Sequence, residues 1–168
     1  RITKAKRVSM KQRISVRAII RHDEKTLLLR RVTGRETILG KYELPGGKVA
    51  YEEQPQDALR RCLHDDAGLH VQTSQLYDAV TYIDHDDRDI QYVVIVFLVS
   101  LAPGHHGVVL GGHYDKYEWQ SMKNIQQNTL TDLTSLLLGI IQQQSVTDKS
   151  VNYYKEIIDN NTSNSMTI

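Results

Sequence analysis

The chain has 168 residues, of which 40% are hydrophobic, so it is long enough for one domain with a substantial core and too short for two domains to be expected. Basic and acidic side chains nearly cancel, 21 against 20, which excludes a global field that would by itself attract nucleic acid or an anionic membrane. A single cysteine excludes an internal disulfide, and no apolar run reaches the roughly 18 residues that cross a bilayer. These features predict a cytoplasmic protein with no membrane partner.

Residues 1–11 are basic and contain few apolar side chains. They could form a nucleic-acid-binding arm, but no aromatic residue is interleaved for base stacking, so we interpret them as a solvated tail. The apolar run that follows is broken by Arg17, which is not typical of a signal peptide. Met10 is a candidate for the natural start.

Two strands are predicted after the tail. Residues from Arg13 to Ile20 are apolar at alternate positions, a pattern typical of a strand with one buried face. The polar residues from His22 to Lys25 predict a turn, and Thr26 to Arg31 a returning strand. Val32 to Leu39 reads as a loop.

The stretch from Gly47 to Leu69 is the most informative part of the chain. A turn signal, Leu44-Pro45-Gly46-Gly47, precedes about four helical turns that begin near Pro55 and end at a C-capping Gly68. At 100° per residue, one stripe of this helix is largely acidic at its end, and its neighbour is apolar. Aspartates at that end are unfavourable against the helix dipole by roughly a few tenths of a kcal/mol each, which favours a bound cation.

The rest of the chain alternates strands with polar turns and ends in helices. A long hairpin and two later strands are predicted at Leu76–Ile83, Ile90–Leu101, Val108–Leu110 and Tyr117–Gln120.

Two helices follow these strands. Leucine and isoleucine recur at helical spacing from Leu130 to Ile141, so a helix with its N-terminus at Thr129 is expected to cover the sheet. A weaker amphipathic helix from Asp148 could pack on a second subunit as a homodimer, before a disordered polar tail. The predicted division is a tail at 1–11, a domain at 12–145 and a C-terminal helix with tail at 146–168.

The spacing of the central stretch carries a resemblance. Gly47, Glu53, Arg61, Gly68 and the aliphatic residues between them follow the Nudix box, G-x5-E-x7-R-E-U-x-E-E-x-G-U, where U is aliphatic. The chain therefore resembles the Nudix (MutT-like) hydrolases. The resemblance implies an α/β fold with a mixed β-sheet sandwiched between α-helices and a substrate cleft over the box helix.

The box also departs from the family pattern. Cys62 stands where the family has glutamate, and Asp65 and Asp66 replace paired glutamates. Aspartate keeps the charge but lies roughly 1.5 Å closer to the backbone, whereas cysteine keeps neither the charge nor the oxygen.

The resemblance implies a divalent cation, Mg²⁺ or Mn²⁺, because a polyanionic pyrophosphate would be repelled by bare carboxylates. Glu53, Asp65 and Asp66 would hold the ion, and Arg61 would orient their carboxylates as part of the catalytic set. A merely solvated acidic face and a surface arginine are the alternatives. Asp115, in a late loop, is the candidate for one more metal ligand, and it is preferred to Glu118 within the probable strand. Gly46, Gly47 and Tyr42 are the expected substrate-binding residues.

Other side chains have weaker claims to a role. Cys62 is expected to be a small buried side chain with a raised pKa, and a zinc site with His64 is improbable because His64 points roughly 160° away. Loop histidines could supply a general base, and tyrosines could stack on a nucleobase, although strand tyrosines usually serve packing. These candidates are His85, His105, His106, Tyr42, Tyr82 and Tyr92.

Two functional hypotheses follow. The first is a metal-dependent pyrophosphohydrolase acting on a nucleoside diphosphate linked to another moiety, with activity weakened by Cys62. The second is a Nudix-like module that binds a nucleotide as a sensor or protein-interaction domain. Retention of Glu53 and Arg61 favours the hydrolase, and the cysteine favours the module.

Overall fold

The computed structural model describes residues 11–87, 90–104 and 107–144. A 13-residue helix, α1, spans Pro55–Ala67, and residues 132–144 form a second helix, α2. Short 3₁₀ turns lie at Glu36–Ile38, His85–Asp87 and Gln127–Thr129. The strands are β1 (Gln12–His22), β2 (Lys25–Arg31), β3 (Tyr42–Glu43), β4 (Gly46–Lys48), β5 (Val71–Asp84), β6 (Ile90–Leu101) and β7 (Tyr114–Ser121).

Strand β1 is the centre of a mixed sheet with the order β3-β2-β1-β6-β5, to which β4 adds on β1 and β7 on β2. The β1–β6 pair is parallel over Gln12 to Ile20, and the other pairs are antiparallel. β1 pairs with β4 through Ser15 to Arg17 and with β2 only through its last two residues. The central strand therefore carries the short strand that leads into α1.

The alternation in β1 has the expected consequence for the core. Val16, Ala18 and Ile20 are buried in one apolar cluster together with Leu59 and Leu63 of α1. Full burial of a leucine contributes roughly 1.5–3 kcal/mol relative to its exposure. The apolar stripe of α1 is thus what fixes this helix against the sheet.

The ends of α1 match their predicted signals. Pro55 occupies the first turn, and Gly68 has a left-handed backbone (φ 65°) whose N–H bonds back to His64 O. A glycine is required there because other residues adopt this conformation at a cost.

Several predicted elements differ from the structure. Residues 108–110 are not a strand; they form a loop whose amides bond to the end of α1. The helix expected from Thr129 begins at 132, because residues up to Thr129 form a 3₁₀ turn with the Thr129 hydroxyl bonded to Gln126 O. β5 is longer than predicted. The tail at 1–10, His105, His106 and the last helix with its tail lie outside the described residues.

The chain divides into two compact units between Thr131 and Asp132. The first holds the sheet and α1, and the second begins with α2, in which Leu137, Leu138 and Ile141 are buried. Within the described ranges, no helix combines the length and apolar character needed to cross a bilayer.

Candidate active site

The Gly46-Gly47 turn lies directly against β1 and α1. Gly46 has φ 142°, and a Cβ there would lie 2.1 Å from Val16 O, so no other residue fits without moving the backbone. A Cβ on Gly47 would lie 2.8 Å from the Cys62 sulfur. The two glycines therefore allow a close approach between turn, strand and helix, and their predicted contact with substrate stays a prediction.

Glu53 and Arg61 form the bidentate pair that the box predicts. Arg61 Nε and Nη2 donate to the two Glu53 oxygens at 2.7 and 2.8 Å, and Nη2 also donates to Lys48 O. The Ala50 amide donates to the same carboxylate. These hydrogen bonds, led by that from Arg61, lower the pKa of Glu53 to about 2. The pair clamps the loop before α1 onto the helix, and both Glu53 oxygens are engaged.

Glu43 is the centre of a buried charge cluster that the sequence interpretation missed. It accepts hydrogen bonds from Arg31 at 2.8 Å and from the Tyr114 hydroxyl at 2.6 Å, and Arg17 lies 3.5 Å away. Burial alone would raise the pKa of Glu43, but the charges of Arg17 and Arg31 outweigh it and the pKa is lowered. The sequence shows Glu43 as the acid before the Leu-Pro-Gly-Gly turn. It does not show that Arg17 on β1 and Arg31 on β2 are the partners of Glu43.

The two aspartates at the end of α1 have different environments. Asp65 is exposed, and its carboxylate lies 3.2 Å from His64 Nδ1. Asp66 is half-buried, and its side chain has no hydrogen bond or ion pair to any described residue. Burial raises the pKa of Asp66, against the charges of His113 and Arg31. Asp66 is the acid whose oxygens stay available near the charge cluster.

A loop holds this helix end in place. The Val109 and Gly111 amides donate to Ala67 O and Asp66 O, both at 2.9 Å. A helix leaves its last carbonyls without internal partners, so these bonds satisfy two of them. A Cβ on Gly111 would lie 2.2 Å from Asp65 O, which leaves no space for a larger residue. The positions of Asp65 and Asp66 therefore depend on this loop.

Cys62 is buried, 5% exposed, as predicted. Burial raises the pKa of its thiol, with the charge of Arg61 opposing the rise. The charges that act on this thiol also include those of Asp66, Arg17 and Glu53, so position 62 lies among the charged groups of the site although it supplies none.

Asp115 lies elsewhere. It is the extra residue of a bulge in β7 and forms a bidentate pair with Arg30 at 2.9 and 2.7 Å. Arg30 and Arg31 are adjacent on β2, so their side chains leave opposite faces, and Arg31 is the one that binds Glu43. Asp115 is thus in a strand and not in a loop, and it points away from the Glu43 cluster.

Tyr42 is also engaged in the sheet. It is buried, and its hydroxyl donates to Glu118 at 2.6 Å. Burial and this hydrogen bond raise the pKa of Tyr42, while Lys116, Tyr42 and Gln120 hold the pKa of Glu118 at about 2. A role of Tyr42 in substrate binding stays a prediction, and its hydroxyl already donates a hydrogen bond to Glu118.

The other candidates within the described residues lie on β5, on β6 and in the turn after β5. Tyr82 and Tyr92 are direct partners across β5 and β6, which is a packing position. His85 lies in the 3₁₀ turn after β5.

The metal prediction can be compared with this geometry. Within residues 11–87, 90–104 and 107–144, no three histidine, cysteine or acidic side chains lie close enough together to hold one ion. Both oxygens of Glu53 accept hydrogen bonds from Arg61 and Asp115 pairs with Arg30, so the four predicted ligands form no such group among the described residues. Asp65 and Asp66 are consecutive residues at the end of α1, and the charge of Asp65 acts on Asp66.

Known proteins match both the sequence and the fold. A family model described as the NUDIX domain matches residues 11–136. Nucleoside triphosphatase NudI of Klebsiella pneumoniae (strain 342) is 25% identical over an alignment of 143 residues, which covers 79% of this chain and 100% of NudI.

Two crystal structures share the architecture. A MutT NUDIX hydrolase from Burkholderia pseudomallei has a TM-score of 0.67 and 24% identity, over 77% of this chain and 97% of its own. The MutT protein from Methanosarcina mazei Go1 has a TM-score of 0.69 and 24% identity, over 82% and 98%. The predicted mixed-sheet α/β fold is confirmed. Because the family model also spans most of the chain, including the box, this protein belongs to the NUDIX domain family.

Proposed function

We propose that this chain hydrolyses the pyrophosphate linkage of a nucleoside diphosphate joined to another moiety, with nucleoside triphosphates as the first substrates to test. Nudix hydrolases in general act on nucleotide pyrophosphates and generally use divalent metals. The name of the NudI relative, a nucleoside triphosphatase, supports triphosphates as substrates. The buried free thiol of Cys62 supports a reducing compartment, the cytoplasm, as the location.

The observation that carries the proposal is the unpaired carboxylate of Asp66. Burial raises the pKa of this half-buried acid and no described residue hydrogen-bonds to its carboxylate, and an acid perturbed in this way is a candidate for a functional role. It lies at the end of the box helix and within the influence of Arg31. This arrangement suits the binding of a cation together with a polyanion.

The carboxylates that remain available fit Mg²⁺ or Mn²⁺ when other ligands complete the coordination shell of the ion. Mg²⁺ needs only one or two protein carboxylates when water and substrate phosphates complete its shell, and Asp65 and Asp66 would supply them. When bound, such an ion withdraws charge from phosphoryl oxygens and makes a bound water more acidic. The three-carboxylate site that the resemblance implied is not required.

The remaining residues would position these groups. The Glu53–Arg61 pair fixes the loop before α1, and the Val109 and Gly111 amides fix the helix end. Arg31, held by Glu43, places a positive charge near Asp66, where a phosphate can approach. The chain thus supplies orientation and charge, the two effects on which phosphoryl transfer chiefly depends.

The test is phosphate or pyrophosphate release from a panel of nucleoside triphosphates, ADP-ribose, nucleotide sugars and dinucleoside polyphosphates with Mg²⁺ and with Mn²⁺. We expect slow, metal-dependent turnover of at least one substrate. Asp66→Asn should reduce it on the order of 100-fold, a loss typical of removing one electrostatic group from an active site.

Asp57→Asn is the matched control, since Asp57 is an exposed acid of the same helix paired with Arg60. It should retain wild-type turnover. Because Asp66 has no partner to lose among the described residues, Asp66→Asn should not lower the melting temperature, which separates chemistry from folding.

One observation favours a second function. The buried thiol at position 62 leaves the box without the carboxylate that the family has there. A nucleotide-binding module with no turnover would then result. It is the better description if no substrate is hydrolysed while a nucleotide raises the melting temperature.

A further inference from the structure

Strand β1 carries two buried polar atoms with no hydrogen-bond partner among the residues that the structure describes. They are the Ser15 hydroxyl oxygen and Arg17 Nε. Ser15 is 3% exposed and the Arg17 side chain 12%. Buried donors are almost always satisfied, and one left unpaired costs folding free energy. Two such groups two residues apart indicate a missing acceptor.

The two side chains leave the same face of β1. The register of β1 with β6 is continuous from Gln12 to Ile20, so no bulge changes the alternation between Ser15 and Arg17. Ser15 is also directly opposite Lys48 on β4, so the side chain of Lys48, a third donor, starts from the same face of the sheet.

The Arg17 guanidinium is held in one orientation. Its Nη1 donates to Leu44 O at 3.3 Å and Gly46 O at 3.0 Å, and its Nη2 lies 3.5 Å from Glu43. These contacts leave Nε, the donor closest to the strand, unused. The same contacts join Arg17 to the turn that opens the box.

The charge around Arg17 favours an anionic acceptor. Arg17 and Arg31 share one buried carboxylate, Glu43, so these three groups carry one positive charge in excess; Asp66 is a further acid that acts on Arg31, without a hydrogen bond to it. A neutral acceptor would satisfy the hydrogen bonds but not the charge. A phosphoryl oxygen satisfies both.

We propose that Ser15 and Arg17 form a binding site for a phosphoryl oxygen of the nucleotide. This inference rests on the proposed function, because the phosphate belongs to the ligand of that same site. It adds a contact from β1 that is independent of the carboxylates of α1 and of any metal.

The test is the affinity of the full chain for pyrophosphate in metal-free buffer, measured by titration calorimetry. Ser15→Ala removes one donor with little change in volume and should weaken pyrophosphate binding about tenfold, as expected for the loss of one hydrogen bond to a charged group. Its melting temperature without ligand should stay equal or rise, since the hydroxyl has no partner to lose. Arg17→Lys keeps the charge but replaces the whole guanidinium, so it removes Nε together with the Nη1 bonds to Leu44 O and Gly46 O; it should show at least a comparable loss if it folds.

The matched control is Arg60→Gln, which removes a charge from an exposed position paired with Asp57 and should leave pyrophosphate affinity unchanged. An unchanged pyrophosphate affinity in Ser15→Ala would overturn the proposal, and a lower melting temperature in the same variant would show that the hydroxyl serves a structural water. If Ser15→Ala weakens the binding of an uncharged nucleoside but not of pyrophosphate, the acceptor belongs to the nucleoside, and the proposal is overturned as well. This test measures binding and not turnover. If the chain hydrolyses no substrate but binds pyrophosphate in a Ser15-dependent way, only the proposed hydrolase function is overturned.

Discussion

At the scale of single residues, Cys62 decides how far the site departs from the family. Its sulfur lies 2.8 Å from the position that a Cβ of Gly47 would take, and the charges of two arginines and two acids act on its thiol. A small apolar side chain suits this space. The site therefore keeps its packing at position 62 and lacks a carboxylate there.

Cys62→Glu should raise turnover about tenfold or more if the missing carboxylate limits hydrolysis. The charges of Arg61 and Arg17 would favour the new carboxylate, whereas those of Asp66 and Glu53 would oppose it. Extra volume against Gly47 should cost about 1–3 kcal/mol of folding free energy. Initial rates of phosphate release and urea unfolding measure the two effects.

Cys62→Gln is the control, because it adds nearly the same volume without a charge. It should share the loss of stability and show no gain in rate. A folded Cys62→Glu variant that is no faster than the wild type would show that another step or group limits the chemistry.

At the scale of elements, the loop at 107–112 controls the end of α1. Its amides satisfy two helix carbonyls, and one of these carbonyls belongs to Asp66. No side chain of this loop has an assigned role in the site, so the loop acts on the helix end through its backbone amides. Glycine at 111 permits this contact.

Gly111→Ala should destabilise the chain by about 1–3 kcal/mol and reduce turnover. A Cβ there would meet Asp65 O at 2.2 Å, so the loop must move and the amide bond to Asp66 O is lost. Gly112→Ala is the neighbouring control, since a Cβ at 112 has no described atom within 4 Å, and its stability should change by no more than about 0.5 kcal/mol. Equal urea midpoints for the two variants would contradict the capping role.

Local signals predicted those elements whose causes are local. Pro55 and Gly68 bound α1 as expected, and the alternation in β1 identified its buried face. The loop at 108–110 was misread as a strand because its apolar residues serve a helix end distant in sequence. The family resemblance implied that Arg61 orients the carboxylates of the box, and Arg61 pairs with Glu53. The contacts of Glu43, Arg17 and Ser15 depend on which strands become neighbours, and periodicity does not reveal that.

At the scale of the whole molecule, arginines neutralise acids in several places. The pairs are Glu53 with Arg61, Glu43 with Arg31 and Arg17, Asp84 with Arg35, and Asp115 with Arg30. Carboxylates held in this way are poor ligands for a hard cation, because the arginine must first be displaced. At the acidic motif positions of the box, Asp65 and Asp66 are the residues that no arginine holds within the described ranges.

Metal binding should therefore depend on nucleotide. Two adjacent carboxylates give a weak site for Mn²⁺ alone, with a dissociation constant of about 1 mM or higher, and substrate phosphates would complete the shell. Because linkage is reciprocal, nucleotide should raise Mn²⁺ affinity by the same factor by which Mn²⁺ raises nucleotide affinity. Electron paramagnetic resonance of free Mn²⁺, with and without a non-hydrolysable triphosphate, measures the first factor, and calorimetry measures the second.

Titrations without protein and with an Asp65→Asn, Asp66→Asn double variant correct for Mn²⁺ held by the nucleotide itself. Tight, stoichiometric Mn²⁺ binding without nucleotide would mean that the arginine-held carboxylates rearrange to form a protein-only site, and the account of a nucleotide-completed shell would fail.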